Sequence, residues 1–239
     1  MEFQRARSAS QREQRRRAIL ETAAAMLDEM PVGQLSLNEL SRRVGLAKSN
    51  VLRYFESREA VLLELLEVQT RDWVAALEEV LVPVEGTVAE RGDRLAALLG
   101  HSLAERPVLC DLISTQAAVL EHNVSAQVVL EHKRASLRAV ERLRNAVRRA
   151  LPELGVQDAH RLVAMILLTV GAAWPHARPP EALRAAFDAD PALAPLRVEF
   201  TDLVAQMVAV SVSGLLARAE DRPLGARVPA ARASPLLER

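Results

Sequence analysis

Residues 36–55 read SLNELSRRVGLAKSNVLRYF, and no other stretch constrains the fold as tightly. Ser36 with Glu39 three residues on is a capping-box pattern, in which the hydroxyl takes the N3 amide and the carboxylate reaches back. The helix it starts is predicted to be short and to stop by Gly45, where freedom to adopt φ > 0 fits a tight turn. A second short helix is predicted over residues 47–55. Two short helices that cross closely need a small residue on the first and a permissive residue at the turn. Ser41 and Gly45, four residues apart, supply them. Leu40, Val44, Leu46 and Val51 supply the apolar seam. Together these features spell a helix-turn-helix.

The flanking sequence extends the helical pattern. Ile19, Ala23, Met26, Leu27 and Met30 fall on one face of a helix predicted over residues 11–30, which Pro31 and Gly33 end. Ser57 caps a long helix running to about Leu81, with the stripe Leu62, Leu65, Leu66, Gln69, Trp73, Leu77 and Val80. Further helices are predicted near 87–105, 107–122, 125–150, 157–174 and 196–219, with a short one at 181–188. The breaks between them fall at Pro83 and Gly86, Pro107, His122 and Asn123, Pro152 and Gly155, and Pro175 to Pro180. Only 3% of residues are aromatic, and the apolar half of the chain is mostly Ala, Leu and Val, of which the first two are good helix formers. The fold class is therefore all-α. Residues 1–10 are expected to be a disordered arm, and residues 220–239, with Pro223, Gly225, Pro229 and Pro235, a disordered tail.

Residues 15–63 resemble the N-terminal domain of the TetR family of bacterial transcriptional regulators. The matching stretches are RRRAILETAAAML, LSLNELSRRVGLAKSNVLRYFESREAVL and the start of the long fourth helix, roughly a fifth of the chain. The resemblance implies a three-helix DNA-binding domain over 11–57, followed by a larger helical domain over 58–219 that binds an effector and dimerises. One position departs from the pattern. Leu52 stands where the family usually has a Tyr that contacts phosphate, and Leu cannot donate that hydrogen bond. Whether Tyr54 reaches the DNA backbone instead is open at this level. Arg58 stands at the family's phosphate-contacting Lys and keeps the charge.

A recognition helix enters the major groove with its N-terminal residues at the base edges, where Arg or Lys pairs with guanine and Asn with adenine. Lys48, Ser49, Asn50 and Arg53 are the candidate readers, with Ser36 and Tyr54 at the edges of the motif. Arg42 and Arg43 are expected at phosphates or in solvent. The Arg12–Arg17 cluster is either a basic arm or a solvated helix start. Residues 1–58 hold eleven basic and seven acidic side chains, an excess of four in a chain of net charge zero. That asymmetry has the sign a DNA-binding head needs.

Beyond residue 82 there is no G-x-S-x-G, no phosphate-binding glycine loop and no C-x-x-C, so no enzyme, metal or cofactor is expected. His101, His122, His132, His160 and His176 are scattered and read as structural or surface histidines. The resemblance implies a helix-lined effector cavity, for which Trp73, His101, Asp111, Ser114, Thr115 and Gln116 are candidate contacts. The Arg-rich stretch 131–149 reads as a solvated helix face. The two late helices are apolar around most of their circumference, which marks deep core or an interface. The resemblance implies that they pair with their mates as a four-helix bundle. The interface candidates are Ala164, Leu167, Leu168, Gly171, Val204, Met207, Val208, Ser211 and Leu215.

The expected partners are a palindromic DNA operator, an unidentified small-molecule effector and a second copy of the chain, with no membrane. The longest apolar stretch, 162–174, falls short of the ~20 residues a span needs. Cys110, the single cysteine, and a charged N-terminus without an apolar core fit the cytoplasm. The leading reading is thus a ligand-released repressor. The competing classes are a constitutive DNA binder and an all-helical enzyme or carrier that shares the N-terminal motif.

Overall fold

In the computed structural model, which describes residues 2–81 and 85–220, every regular element is helical. The first helix, α1, spans Glu2–Glu29. The arm expected to be disordered over residues 1–10 is therefore helical from Glu2. Its Arg, Gln, Glu and Ala are good helix formers, and no Gly or Pro interrupts the run before Pro31. A 3₁₀ turn, Val32–Gln34, leads to α2 (Leu37–Val44) and α3 (Lys48–Val51). Then come the long α4 (Arg58–Val80), α5 (Val88–Ala104) and α6 (Pro107–Thr115). One π-turn, Gln116–Leu120, follows α6. The chain closes with α7 (Ala126–Ala150), α8 (Val156–Ala177), α9 (Glu181–Ala189), a 3₁₀ segment (Pro191–Leu196) and α10 (Phe200–Glu220). The predicted break at Pro83 and the tail beyond Glu220 lie outside the described residues.

Three differences from the sequence reading have local causes. Glu39 does not complete the capping box, because its carboxylate is spent on Arg42 and Arg43; only the Ser36 hydroxyl half is present, at 3.2 Å from the Glu39 amide. The reciprocal box forms instead between Thr87 and Glu90 at the start of α5. The helix predicted over 107–122 widens at Gln116 into the π-turn, a feature that often marks functional sites. Pro175, expected to end α8, sits inside its last turn.

α1 packs on α2 and α4, and Ile19, Ala23 and Met26 join Leu40, Val51 and Phe55 in the core of the head. The Arg16 guanidinium lies 4.3 Å from the centre of the Phe55 ring, donates to the Tyr54 carbonyl and pairs with Glu64. It therefore ties α1, the end of the helix-turn-helix and α4 together, and it is not free for DNA. Burial raises the Glu64 carboxyl above the usual range even with Arg16 beside it. Burial also pushes the Cys110 thiol up to about 12, so it is a packing residue and not a nucleophile.

In the larger domain, α5 and α10 cross with almost no space between them. A Cβ added at Gly100 would meet the Thr201 carbonyl oxygen at 2.7 Å, and one at Gly92 would meet Val212 at 3.1 Å. Replacing Gly in a helix gains up to ~1 kcal/mol of propensity, whereas overpacking against backbone costs ~1–3 kcal/mol. Gly100→Val is therefore expected to be a net loss, read as a lower midpoint in urea. An unchanged midpoint would mean that α10 shifts freely.

α8 and α10 are each long and apolar enough, by length and composition, to cross a membrane, although no single uninterrupted stretch suggested it. Here each has one side on the core: Leu162, Val163, Ile166 and Val170 of α8, and Val204, Val208, Val212 and Leu215 of α10.

Candidate DNA-reading face and effector cavity

The turn of the helix-turn-helix is built as the sequence required. Gly45 has φ 73°, its amide bonds the Arg42 carbonyl, and the Leu46 amide bonds Ser41 O at 3.0 Å. This is a Schellman close, with glycine at the left-handed position. Ser41 is buried at the crossing. α3 is only one turn of regular helix, but i→i+3 bonds from Arg53 to Asn50 and from Tyr54 to Val51 continue it toward Phe55.

This geometry sorts the candidate readers into two groups. Lys48, Ser49, Asn50 and Arg53 are all exposed, and among the described residues their side chains have no hydrogen-bond or ion-pair partner. The other group is engaged. Ser36 caps α2. Arg42 and Arg43 share Glu39, and Arg43 also reaches Glu29 at 2.7 Å. The two guanidiniums, with Arg42 the stronger, hold the Glu39 carboxyl down at about 2. Arg58 donates to the Leu35 carbonyl and to Glu59, each at 3.0 Å, so it clamps the start of α4 to the turn before α2. Tyr54 is half-buried against the core, and Leu52 stands 42% exposed on the outer surface. Arg12, Arg15 and Arg17 are exposed on α1.

Behind the head, α4, α6, α7 and α8 enclose a cavity of about 350 Å³. It takes Trp73 and Gln116 from the sequence candidates and leaves the other four outside. His101 lies exposed on α5, its Nδ1 2.8 Å from the Ala97 carbonyl. The Ser114 and Thr115 hydroxyls fold back onto the Asp111 carbonyl. Asp111 points to the head, where its Oδ2 accepts the Val32 amide at 2.7 Å. Periodicity placed all four on helices near the cavity, but it does not tell which side of α5 or α6 faces inward.

The sequence reading missed most of the polar lining: Glu67, Thr70, Arg71, His132, Ser136 and Arg138. His132 is buried, with Nδ1 3.3 Å from Glu67 Oε1 and Nε2 3.1 Å from the Gln116 amide nitrogen. The Gln116 amide also donates to Glu121 at 2.7 Å. The stretch 131–149, expected to be a solvated face, thus turns one side to the cavity. A lone histidine on the apolar side of α7 was the one available signal.

The interface candidates also divide. Ala164, Leu168 and Met207 are exposed; Leu167, Gly171 and Ser211 are half-buried. Val204, Val208 and Leu215 are buried within the subunit, in its core. The outward stripe is Met165, Leu168 and Ala172 on α8 with Met207, Val210 and Gly214 on α10. An all-apolar helix does not reveal its phase, and α10 turns its 204–208–212–215 edge to α5.

Residues 19–65 match the family described as bacterial regulatory proteins, tetR family, and residues 67–219 match the tetracyclin repressor-like C-terminal domain. An uncharacterized HTH-type transcriptional regulator of Mycobacterium bovis is 25% identical over 163 residues, covering 63% of this chain and 75% of its own length. Among solved structures, a TetR transcriptional regulator from Rhodococcus sp. RHA1 aligns with TM-score 0.55 at 14% identity, over 85% of this chain and 96% of its own. FadR from Bacillus subtilis, solved with stearoyl-CoA, aligns with TM-score 0.53 at 14% identity, over 82% of this chain and 97% of its own. At these identities the structural likeness is one of fold.

Proposed function

The chain belongs to the tetR family of bacterial regulatory proteins, which are DNA-binding transcriptional regulators, and on that footing we propose that it is a homodimeric cytoplasmic repressor, released from a roughly palindromic operator by a small-molecule effector. One observation carries this reading. The four polar side chains on and beside α3 that have no partner among the described residues are joined, through the unbroken α4, to a cavity of ligand size. The stearoyl-CoA in the FadR neighbour supports the carry-over of a ligand-holding domain to this chain. Two heads related by a two-fold axis read half-sites about 34–36 Å apart, which is why a dimer and a palindrome belong together.

Selection of bound DNA from a random pool, followed by mobility shifts, tests the proposal. The selected sequence should be bound far more tightly than random DNA, and an effector from a thermal-shift screen should weaken that binding. Equal affinity for random DNA would remove sequence-specific repression. A tight operator complex that no cavity ligand weakens would favour a constitutive binder.

The switch in this proposal runs through two hydrogen bonds that bracket the helix-turn-helix. Asp111 at the head side of α6 holds the Val32 amide, and Glu56 accepts the amide of Ser125, the N-cap of α7. Both helices also meet in the cavity through Gln116 and His132. A ligand that prefers one arrangement of Gln116 and His132 shifts the head only through such differential contacts. Asp111→Ala should leave effector affinity intact in the absence of DNA but shrink the operator–effector coupling about tenfold, since such couplings are typically 1–3 kcal/mol. Reciprocal titrations, with Trp73 emission as the ligand readout, measure it. Undiminished coupling with only a lowered melting temperature would make Asp111 a structural residue.

A further inference from the structure

α4 and α7 run in parallel register along the cavity. His132 pairs with Glu67 at one end, and Arg142 pairs with Glu78 at 2.6 Å at the other. The two pairs are ten residues apart on α7 and eleven on α4, which spans about 15–16 Å of helix. The lining along this stretch is mostly apolar, with Val74, Ile113, Val140, Leu167 and the ring of Trp73, whose indole nitrogen is tied away to Ser102 at 3.1 Å, and with Leu66 and Leu143 at its ends.

The charged groups of this lining are not balanced. Its one carboxylate, Glu67, faces His132. Lys133 is held by Glu121 at 2.7 Å, and Arg142 by Glu78. Two guanidiniums remain. Arg138 has no ion-pair partner among the described residues. Arg71 has only its neighbour Asp72, at 3.3 Å and largely in solvent, a pairing of little worth. Counting along the register, both fall between the two end pairs, one on each wall. A cation entering here meets a single carboxylate, Glu67, already hydrogen-bonded to His132, and otherwise only cationic side chains. An anion meets two donor forks suited to a planar or tetrahedral oxyanion, above an apolar trough.

We propose that the ligand class of this cavity is an amphipathic organic anion, its apolar body lying along Trp73, Val74 and Leu143 and its carboxylate, sulfonate or phosphate group held between Arg71 and Arg138. This rests on the reading of the cavity as the effector site and adds the chemistry of what enters it. The arginines act at the rim, so they confer selectivity that salt screens, with a Debye length of about 10 Å at 0.1 M. The apolar trough supplies the salt-independent part of the affinity.

A matched dye pair tests the class, because 1-anilinonaphthalene-8-sulfonate and N-phenyl-1-naphthylamine differ only in the sulfonate. The protein is the full chain carrying Trp174→Phe, which leaves Trp73 as the only tryptophan, and cavity binding is scored as the part of the Trp73 quenching that is lost when Ala139→Phe fills the cavity. At low salt the sulfonate should bind about tenfold more tightly than the neutral dye. That preference should fall toward unity in 0.5 M salt and vanish in Arg71→Gln/Arg138→Gln, whose side chains are exposed and whose melting curve should match the parent. Equal or better binding of the neutral dye would overturn the anion class and leave the cavity reading standing. A sulfonate preference that survives the double substitution would overturn the assignment to Arg71 and Arg138. If neither dye quenches Trp73, the cavity reading fails and this proposal with it.

Discussion

Leu168→Glu should convert the proposed homodimer to a monomer and lower operator affinity by a hundredfold or more, without unfolding the subunit. Leu168 is 75% exposed and Val210 is 69% exposed, the largest exposures among the big apolar side chains of α8 and α10. A stripe of this kind on two adjacent helices is costly to leave in water and has the form of an interface. Two-fold symmetry places each residue of the seam twice, so one substitution buries two unpaired carboxylates, each costing ~3–5 kcal/mol when desolvated without a partner. The subunit core does not contain Leu168, so its melting curve should change little. Val170→Asp, by contrast, strikes a fully buried position and should unfold the subunit whether or not a dimer forms. Sedimentation equilibrium and circular dichroism separate the two outcomes. A Leu168→Glu chain that stays dimeric and binds its operator as the parent does would place the interface elsewhere.

Asn50→Ala and Arg53→Ala form the second large expectation. A side chain reading a base edge contributes ~1–3 kcal/mol, and in a symmetric dimer each substitution removes the contact from both half-sites. The expected loss is ~2–6 kcal/mol, about 30-fold to about 20,000-fold in affinity, with relaxed base preference at one position of each half-site. Arg58→Ala should behave differently. Its guanidinium holds the Leu35 carbonyl and the buried Glu59, so its loss should first lower the stability of the head, by ~1–3 kcal/mol. Weaker binding to all sequences then follows from a destabilised head as well as from the lost charge. Affinities measured on selected and random DNA, each beside a melting curve, distinguish the roles. A stable Arg58→Ala head with altered base preference would reverse the assignment.

The helix-turn-helix was legible in the sequence because its requirements are local. Ser36, Ser41 and Gly45 each answer a need of the backbone within a few residues, and the seam Leu40–Val51 follows from their spacing. Helix order was legible for the same reason, since Pro and Gly punctuate a chain otherwise rich in helix formers. Even here local reading erred where two partners competed for one group. Glu39 matched a capping box, but two arginines on its own helix outbid the backbone amide.

The cavity and the interface were not legible, and the reason is the geometry of packing. Periodicity states that a helix has an apolar side; it does not state which neighbour covers it, and α8 and α10 are apolar on more sides than one. Val208 and Val210 look alike in sequence, yet one is buried against the core and the other faces outward. Asp111 looks like a pocket residue until α6 is seen to lie against the turn at Val32. By itself the sequence determined the order of the helices and the helix-turn-helix of the head. Tertiary structure alone decided which groups pair across helices distant in sequence, as Glu67 with His132 and Glu78 with Arg142, and so which guanidiniums are left at the mouth of the cavity. Ion pairing between chain-distant residues depends on where helices come to rest, and that is settled by the packing of the whole core.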